Sequence, residues 1–168
     1  MDPADLLAAT LDIEAHVDSD GWDQPTLLFA LVPTARIRAE SPELAAQLGV
    51  ADSGPALTTF EQEPPPSDVE LDEFLARIEW PGQIAGAALV LERIVLPPDA
   101  EAALVDRPDA AAVARAHPNA REMRLVVAVA RTGETMCALR LRGAADEDVL
   151  TGPDLVPGLA EALLATFR

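Results

Sequence analysis

Two apolar segments near the end of the chain, residues 122–130 and 135–142, are separated only by the four residues Arg131-Thr132-Gly133-Glu134. Such a short connection joins two strands as an antiparallel hairpin, because parallel strands need a crossover of a dozen or more residues. The hairpin therefore excludes a sheet that is parallel throughout, and with it a doubly wound architecture.

The side-chain pattern of this hairpin predicts its register. A three-residue loop that pairs Arg131 with Thr135 gives one wholly apolar face, whereas a two-residue loop mixes polar and apolar residues on both faces. The predicted apolar pairs are Val129 with Cys137, Val127 with Leu139, and Leu125 with Leu141. On the other face, the predicted pairs are Arg124 with Arg142 and Val126 with Arg140.

Hydrophobic periodicity predicts the remaining elements. Strands are predicted at residues 26–32, 57–61 and 86–96, the last with a bulge at Glu92-Arg93. Helices are predicted at residues 3–19, after Ser41-Pro42, after a capping box of Ser67 and Glu70, at 108–116, and at the C-terminal end up to Phe167. We therefore predict one α+β domain over residues 1–168. Its mostly antiparallel five-stranded sheet would be packed on one face by the N-terminal, middle and C-terminal helices.

Composition excludes several functions. The 12 basic residues are all arginines and are outnumbered by 29 acidic residues. The resulting formal net charge of −17 opposes direct binding to nucleic acid or anionic lipid. The absence of lysine excludes a Walker P-loop and lysine Schiff-base chemistry. The single cysteine excludes an intrachain disulfide and a cysteine-based zinc site. An acidic start and the lack of a long apolar run predict a cytoplasmic protein that does not bind membranes.

No residue pattern predicts a catalytic, metal or cofactor site. The acidic segment 18–23 resembles part of a calcium loop, but an EF-hand alignment places His16 at the first ligand position and Leu27 at the twelfth. His117 precedes Pro118 in a predicted surface loop, and Cys137 is predicted to lie in the core. We therefore expect no enzymatic activity.

The arginines of the hairpin are candidate binding residues. Arg124, Arg140 and Arg142 share one predicted face, where three guanidinium groups repel one another unless anionic groups lie among them. These groups are either acids of the chain itself, such as Glu122 or Asp146, or a bound anion or acidic partner segment. Trp22 and Trp80 each adjoin a turn and are either core-edge residues or binding anchors.

Three segments carry a resemblance to a known family. They are residues 21–32, residues 80–98, and residues 137–142 together with the string TGPDLVPGL at residues 151–159. In these segments the chain resembles an uncharacterised family of small acidic proteins from high-GC bacteria. The resemblance implies one cytoplasmic domain and transfers no functional residue. The predicted architecture, with a helix at each end, is also similar to that of secretion chaperones.

Three functions remain open. The first is a non-catalytic protein-interaction module, chaperone-like or adaptor-like and homodimeric, that accepts a partner strand at an exposed sheet edge. The second is a small-molecule binding protein, or a minor enzyme, that takes an anionic ligand on the face of Arg124, Arg140 and Arg142. The third is a nucleic-acid mimic that occupies a basic cleft of another protein.

Overall fold

The computed structural model describes all 168 residues, which form helices and strands in mixed order. The strands are β1 Leu27–Pro33, β2 Leu57–Glu61, β3 Gly86–Val95, β4 Arg121–Ala130, β5 Thr135–Leu141 and β6 Leu150–Gly152. The α-helices are α1 Pro3–Ser19, α2 Thr34–Glu40, α3 Pro42–Gln47, α4 Leu71–Ala76, α5 Pro98–Ala102, α6 Ala110–Ala116 and α7 Pro157–Leu164. A short 3₁₀ helix covers Asp146–Asp148.

The strands form one sheet in the order β2-β1-β3-β4-β5-β6, and every neighbouring pair is antiparallel. The α+β prediction is therefore confirmed, with six strands rather than five. The additional strand, β6, pairs with residues 137–139 of β5. A strand of three residues is too short for alternation to be recognised in a sequence, and Thr151-Gly152 reads equally well as a helix cap.

The first helix begins as its sequence predicts. The side chain of Asp2 accepts a hydrogen bond from the amide of Ala4 at 2.8 Å, and Pro3 occupies the first turn. Leu6 and Ile13 are buried along the side of α1 that faces the sheet. No helix of the protein has both the length and the apolar character needed to cross a membrane.

Helices cover both faces of the sheet, so the expectation that all three packing helices lie on one face is wrong. One face packs against α1, in a core that includes Phe29, Val90 and Val126. The opposite face packs against α4 and α7. The physical reason is visible in β1 and β3, whose continuous apolar runs bury side chains on both faces.

The hairpin has a three-residue loop, but the predicted register is wrong. Each residue of β4 pairs with a residue of β5 that lies two positions earlier than predicted. Val129 pairs with Thr135 and Val127 with Cys137, so the loop consists of residues 131–133. Gly133 then occupies the third loop position with φ +108°, a conformation that favours glycine. The shift leaves each side chain on its predicted face, but it places Arg124 opposite Arg140 instead of Arg142.

Two local predictions also differ from the structure, and two short helices have no counterpart in the sequence-based prediction. Ser67 and Glu70 form no capping box, since Glu70 is the N-cap of α4 and no side chain bonds there. The bulge at Glu92-Arg93 is absent, because β3 pairs with β4 without interruption. The helices α2 and α5, which lack a recognisable apolar periodicity over their seven and five residues, were not predicted.

Candidate anion-binding cleft

Arg140 lies beneath α1, where acids of the chain bind it. Its guanidinium group donates two hydrogen bonds to the Glu14 carboxylate, one of them 2.9 Å long, and a third to Asp146 at 2.8 Å. The residue is only 6% exposed. The hydrogen bonds with Glu14, and secondarily the one with Asp146, hold the pKa of Arg140 above its ordinary value.

Arg124 is fully buried beside Arg140. It donates to the Asp18 carboxylate at 2.9 Å and to the carbonyl oxygen of Gly21. Its guanidinium carbon lies 4.4 Å from the ring centroid of Trp22, in a cation–π contact. The Nε of Arg124 is buried and has no hydrogen-bond partner.

The alternative in which the hairpin arginines bind a ligand on an exposed sheet face does not fit Arg124 and Arg140, because α1 covers both. Acids of the chain neutralise both side chains, as one of the two sequence interpretations expected. Arg142 alone remains exposed, and it donates to Glu122 and to Asp23. These two acids raise its pKa, Glu122 more strongly.

The two tryptophans lie in different places. Trp22 contacts Arg124 and Arg142, whose guanidinium carbons are 4.4 and 5.7 Å from its ring centroid. Trp80 is half-buried and packs against the core beside α4 and α7, where its indole N–H donates to Thr166 at 2.8 Å and its ring stacks on Phe167. The structure thus brings Trp22 together with two of the predicted arginines and leaves Trp80 in a separate, structural position.

Hydrogen bonds hold the loop that carries Trp22 in place. The Glu92 carboxylate accepts the backbone N–H groups of Asp23 and Gln24, with the shortest contact at 2.6 Å. The side-chain amide of Gln24 donates to the carbonyl oxygens of Val17 and Gly21. Asp23 has φ +65°, so these bonds stabilise a backbone conformation that non-glycine residues seldom adopt.

This loop forms one wall of a cleft of about 680 Å³. The other walls are the C-terminal part of β3 and the helix α6. The lining residues include Trp22, Arg93, Ile94, Ala114 and Arg115. A second hollow of about 280 Å³ adjoins it and shares Ile94, Arg115 and Glu122 with it; its further lining residues include His117, Arg121 and Arg142. The two hollows form one continuous surface, which we call the arginine cleft.

The arginine cleft contains unpaired cations. Of the 12 arginines, only Arg93, Arg115 and Arg121 make no hydrogen bond or ion pair, and all three line this cleft. The other nine bind carboxylates or backbone carbonyl oxygens. The three unpaired side chains are exposed.

The acids of the arginine cleft, by contrast, are engaged. Glu92 accepts from two backbone amides, and Glu122 and Asp23 both bind Arg142. The cleft therefore presents free guanidinium groups in a protein whose formal net charge is −17. Such groups hydrogen-bond carboxylate and phosphate oxygens in paired, planar geometry.

Sequence reasoning did not single out these three arginines, although a signal was present. Exposed helical arginines elsewhere have an acid four residues away, as in Arg36 with Glu40 and Arg77 with Glu73. Arg115 has only alanine, proline and asparagine at three or four residues' distance. An arginine without such a partner is conspicuous in an acid-rich chain, but only the fold brings Arg93 and Arg121 beside it.

The remaining candidate residues have local roles. The Nδ1 of His117 accepts a hydrogen bond from the amide of Asn119 at 3.1 Å, at the edge of the arginine cleft. Cys137 is buried in the core as predicted, and burial raises the pKa of its thiol. Asp18 binds Arg124, and His16 lies in the last turn of α1. No group of three or more His, Cys, Asp or Glu side chains is arranged to hold a metal ion.

Comparison with known proteins identifies the family of the chain. The model of the PPA1309-like protein family matches residues 6–168, and the chain therefore belongs to this family. No curated protein and no solved structure matches it.

Proposed function

We propose that this protein binds an anionic ligand, a carboxylate or a phosphate, in the arginine cleft, and that it does so without catalysis. One observation carries the proposal: the three arginines that lack a partner, Arg93, Arg115 and Arg121, all line the same cleft. Arginine side chains distributed at random over the surface of this acid-rich chain would find acids nearby, as Arg36, Arg77 and Arg107 do.

The cleft is suited to binding rather than to chemistry. Its walls contain a tryptophan ring, several apolar residues and arginines, and no serine, threonine or cysteine. The acids and the histidine that also line it, Asp23, Glu92, Glu122 and His117, are engaged in hydrogen bonds within the protein. Trp22 is held by its loop and by cation–π contacts, so this wall is preorganised before a ligand arrives. Preorganisation lowers the entropic cost of binding.

Trp22 provides the reporter for a direct test. The chain has two tryptophans, so Trp80→Phe leaves Trp22 as the only indole. We expect inorganic pyrophosphate or citrate, titrated into this variant at constant ionic strength, to change Trp22 fluorescence saturably. Replacing the three unpaired arginines together (Arg93→Gln, Arg115→Gln and Arg121→Gln) should weaken this binding at least tenfold, because it removes the charged donors.

A charge-matched control distinguishes a site from general electrostatics. Arg36→Gln, Arg77→Gln and Arg107→Gln change the net charge by the same amount, but at exposed ion pairs outside the arginine cleft. This control variant should bind both anions as the parent does. Equal weakening in the two triple variants, or no saturable change with either anion, would refute the proposed function.

A further inference from the structure

We propose that the natural occupant of the arginine cleft is an acidic, extended polypeptide segment of a partner protein, which adds a strand to the open edge of β3. This inference rests on the proposed function and assigns its ligand class. It makes the protein a peptide-recognition module whose main-chain pairing provides affinity and whose arginines provide specificity.

The first supporting observation is an unpaired strand edge inside the cleft. The ladder between β1 and β3 ends at the pair Leu27 and Val90, whereas β3 continues to Val95 along β4. Pro25, two residues before the start of β1, has no N–H group and so cannot extend the ladder as a donor. In an antiparallel sheet alternate residues direct their backbone groups away from a given neighbour. No hydrogen bond reaches the outward groups of residues 92–95.

The second observation is the position of two cations near this edge, on one face of the sheet. Arg93 lies on β3 itself, and Arg121 lies on β4 opposite Val95, one strand further from the open edge; the two arginines share one face and are two ladder positions apart. Two positions correspond to roughly 7 Å along a strand. Alternate side chains of an added strand have the same spacing, so one acid lies directly beside Arg93 and the next lies level with Arg121, two strand spacings or about 10 Å away.

The third observation concerns the opposite side of the cleft, where α6 faces the edge of β3. Ile94, Ala111 and Ala114 line this side together with Arg115. A strand that alternates acidic and apolar residues would place its acids toward Arg93 and Arg121, and its apolar side chains against this wall. The length of the open edge also fits a short added strand, because four residues of β3 span about 13 Å.

The test uses two dye-labelled heptapeptides of alternating valine and glutamate and measures fluorescence anisotropy with the full-length protein. One peptide is unmodified. The other carries N-methyl groups on alternate amides, which keeps every carboxylate but removes the donors needed for strand pairing. We expect the unmodified peptide to bind at least tenfold more tightly than the methylated one. Its binding should slow hydrogen exchange of backbone amides within residues 92–95, and it should be lost in the variant that replaces Arg93, Arg115 and Arg121.

The outcomes separate the inference from the function on which it rests. Equal binding of both peptides, or binding of pyrophosphate but neither peptide, overturns the strand-addition inference and leaves anion binding intact. If neither peptide binds, and pyrophosphate and citrate do not bind either, both the strand-addition inference and the proposed function are overturned. If sedimentation shows that the protein alone self-associates through the cleft, and the triple arginine variant is monomeric, the occupant is a second copy of this chain and the inference is wrong.

Discussion

Glu14 and Arg140 form a buried ion pair whose side chains are 4% and 7% exposed. Two charges removed from water in this way are stabilising only while both are present, because the desolvation cost of each is offset by the other. Arg140 keeps Asp146 and Asp18 as further partners at 2.8 and 3.6 Å. Loss of Glu14 alone should therefore be costly, but less so than in a pair with no other acid nearby.

We predict that Glu14→Gln lowers the free energy of unfolding by about 3 kcal/mol, near the low end of the range for a broken buried pair. The double variant Glu14→Leu with Arg140→Met, which replaces both charges by apolar groups of similar size, should lose much less. Urea unfolding monitored by tryptophan fluorescence measures both. Equal losses in the single and double variants would contradict the view that the uncompensated Arg140 charge causes the cost.

At the scale of elements, the connection between α1 and β1 depends on one side chain of β3. The Glu92 carboxylate accepts from two consecutive amides, those of Asp23 and Gln24. Hydrogen bonds to a charged acceptor contribute roughly 1.5–3 kcal/mol each. The loop that carries Trp22 is thus coupled to the strand whose edge lies open in the arginine cleft.

Replacing this carboxylate should release the loop without unfolding the sheet. We predict that Glu92→Ala speeds hydrogen exchange of the Asp23 and Gln24 amides at least tenfold, measured by nuclear magnetic resonance. Glu61→Ala is the matched control, since Glu61 is an exposed strand residue that makes no side-chain hydrogen bond. If the Asp23 and Gln24 amides exchange as slowly in the Glu92→Ala variant as in the Glu61→Ala variant, Glu92 does not hold the loop.

At the scale of the whole molecule, the excess of acids opposes the compact state. With a formal net charge of −17, the average interaction between surface charges is repulsive. Salt screens this repulsion, because the Debye length falls from about 30 Å at 0.01 M to about 8 Å at 0.15 M. The buried pairs beneath α1 are screened much less.

We therefore predict that the melting temperature rises when sodium chloride is increased from 0.01 to 0.15 M. The double variant Asp52→Asn with Glu63→Gln, which changes the net charge from −17 to −17 + 2 = −15, should show a smaller rise. Differential scanning calorimetry measures both. A melting temperature that falls with salt would mean that surface ion pairs outweigh the general repulsion.

Much of the fold could be predicted because its signals are local. The cap of Asp2 with Pro3 places the start of α1, and a loop of three residues obliges β4 and β5 to be antiparallel. The face assignment of the hairpin side chains was also correct. The assignment stays correct although the β5 partners differ by two residues from those predicted, because side chains alternate between the faces with a period of two.

The pairing of charges was decided by tertiary structure alone. Arg124 meets Asp18 across 106 residues and Arg140 meets Glu14 across 126 residues, both because α1 lies on the sheet beside β5. No local pattern specifies on which face a helix packs. The sequence could therefore propose the arginines of β4 and β5 as a binding face, but the fold buries two of them.

The same reason explains why the candidate site was found only in the structure. Sequence alone determined an acidic α+β protein without lysine and with one cysteine. Only the tertiary structure brings Arg93, Arg115 and Arg121 to one cleft, from β3, α6 and β4, and leaves the edge of β3 open beside Arg93. Contacts between distant segments depend on how whole elements pack, and packing depends on the shape and burial of the entire core.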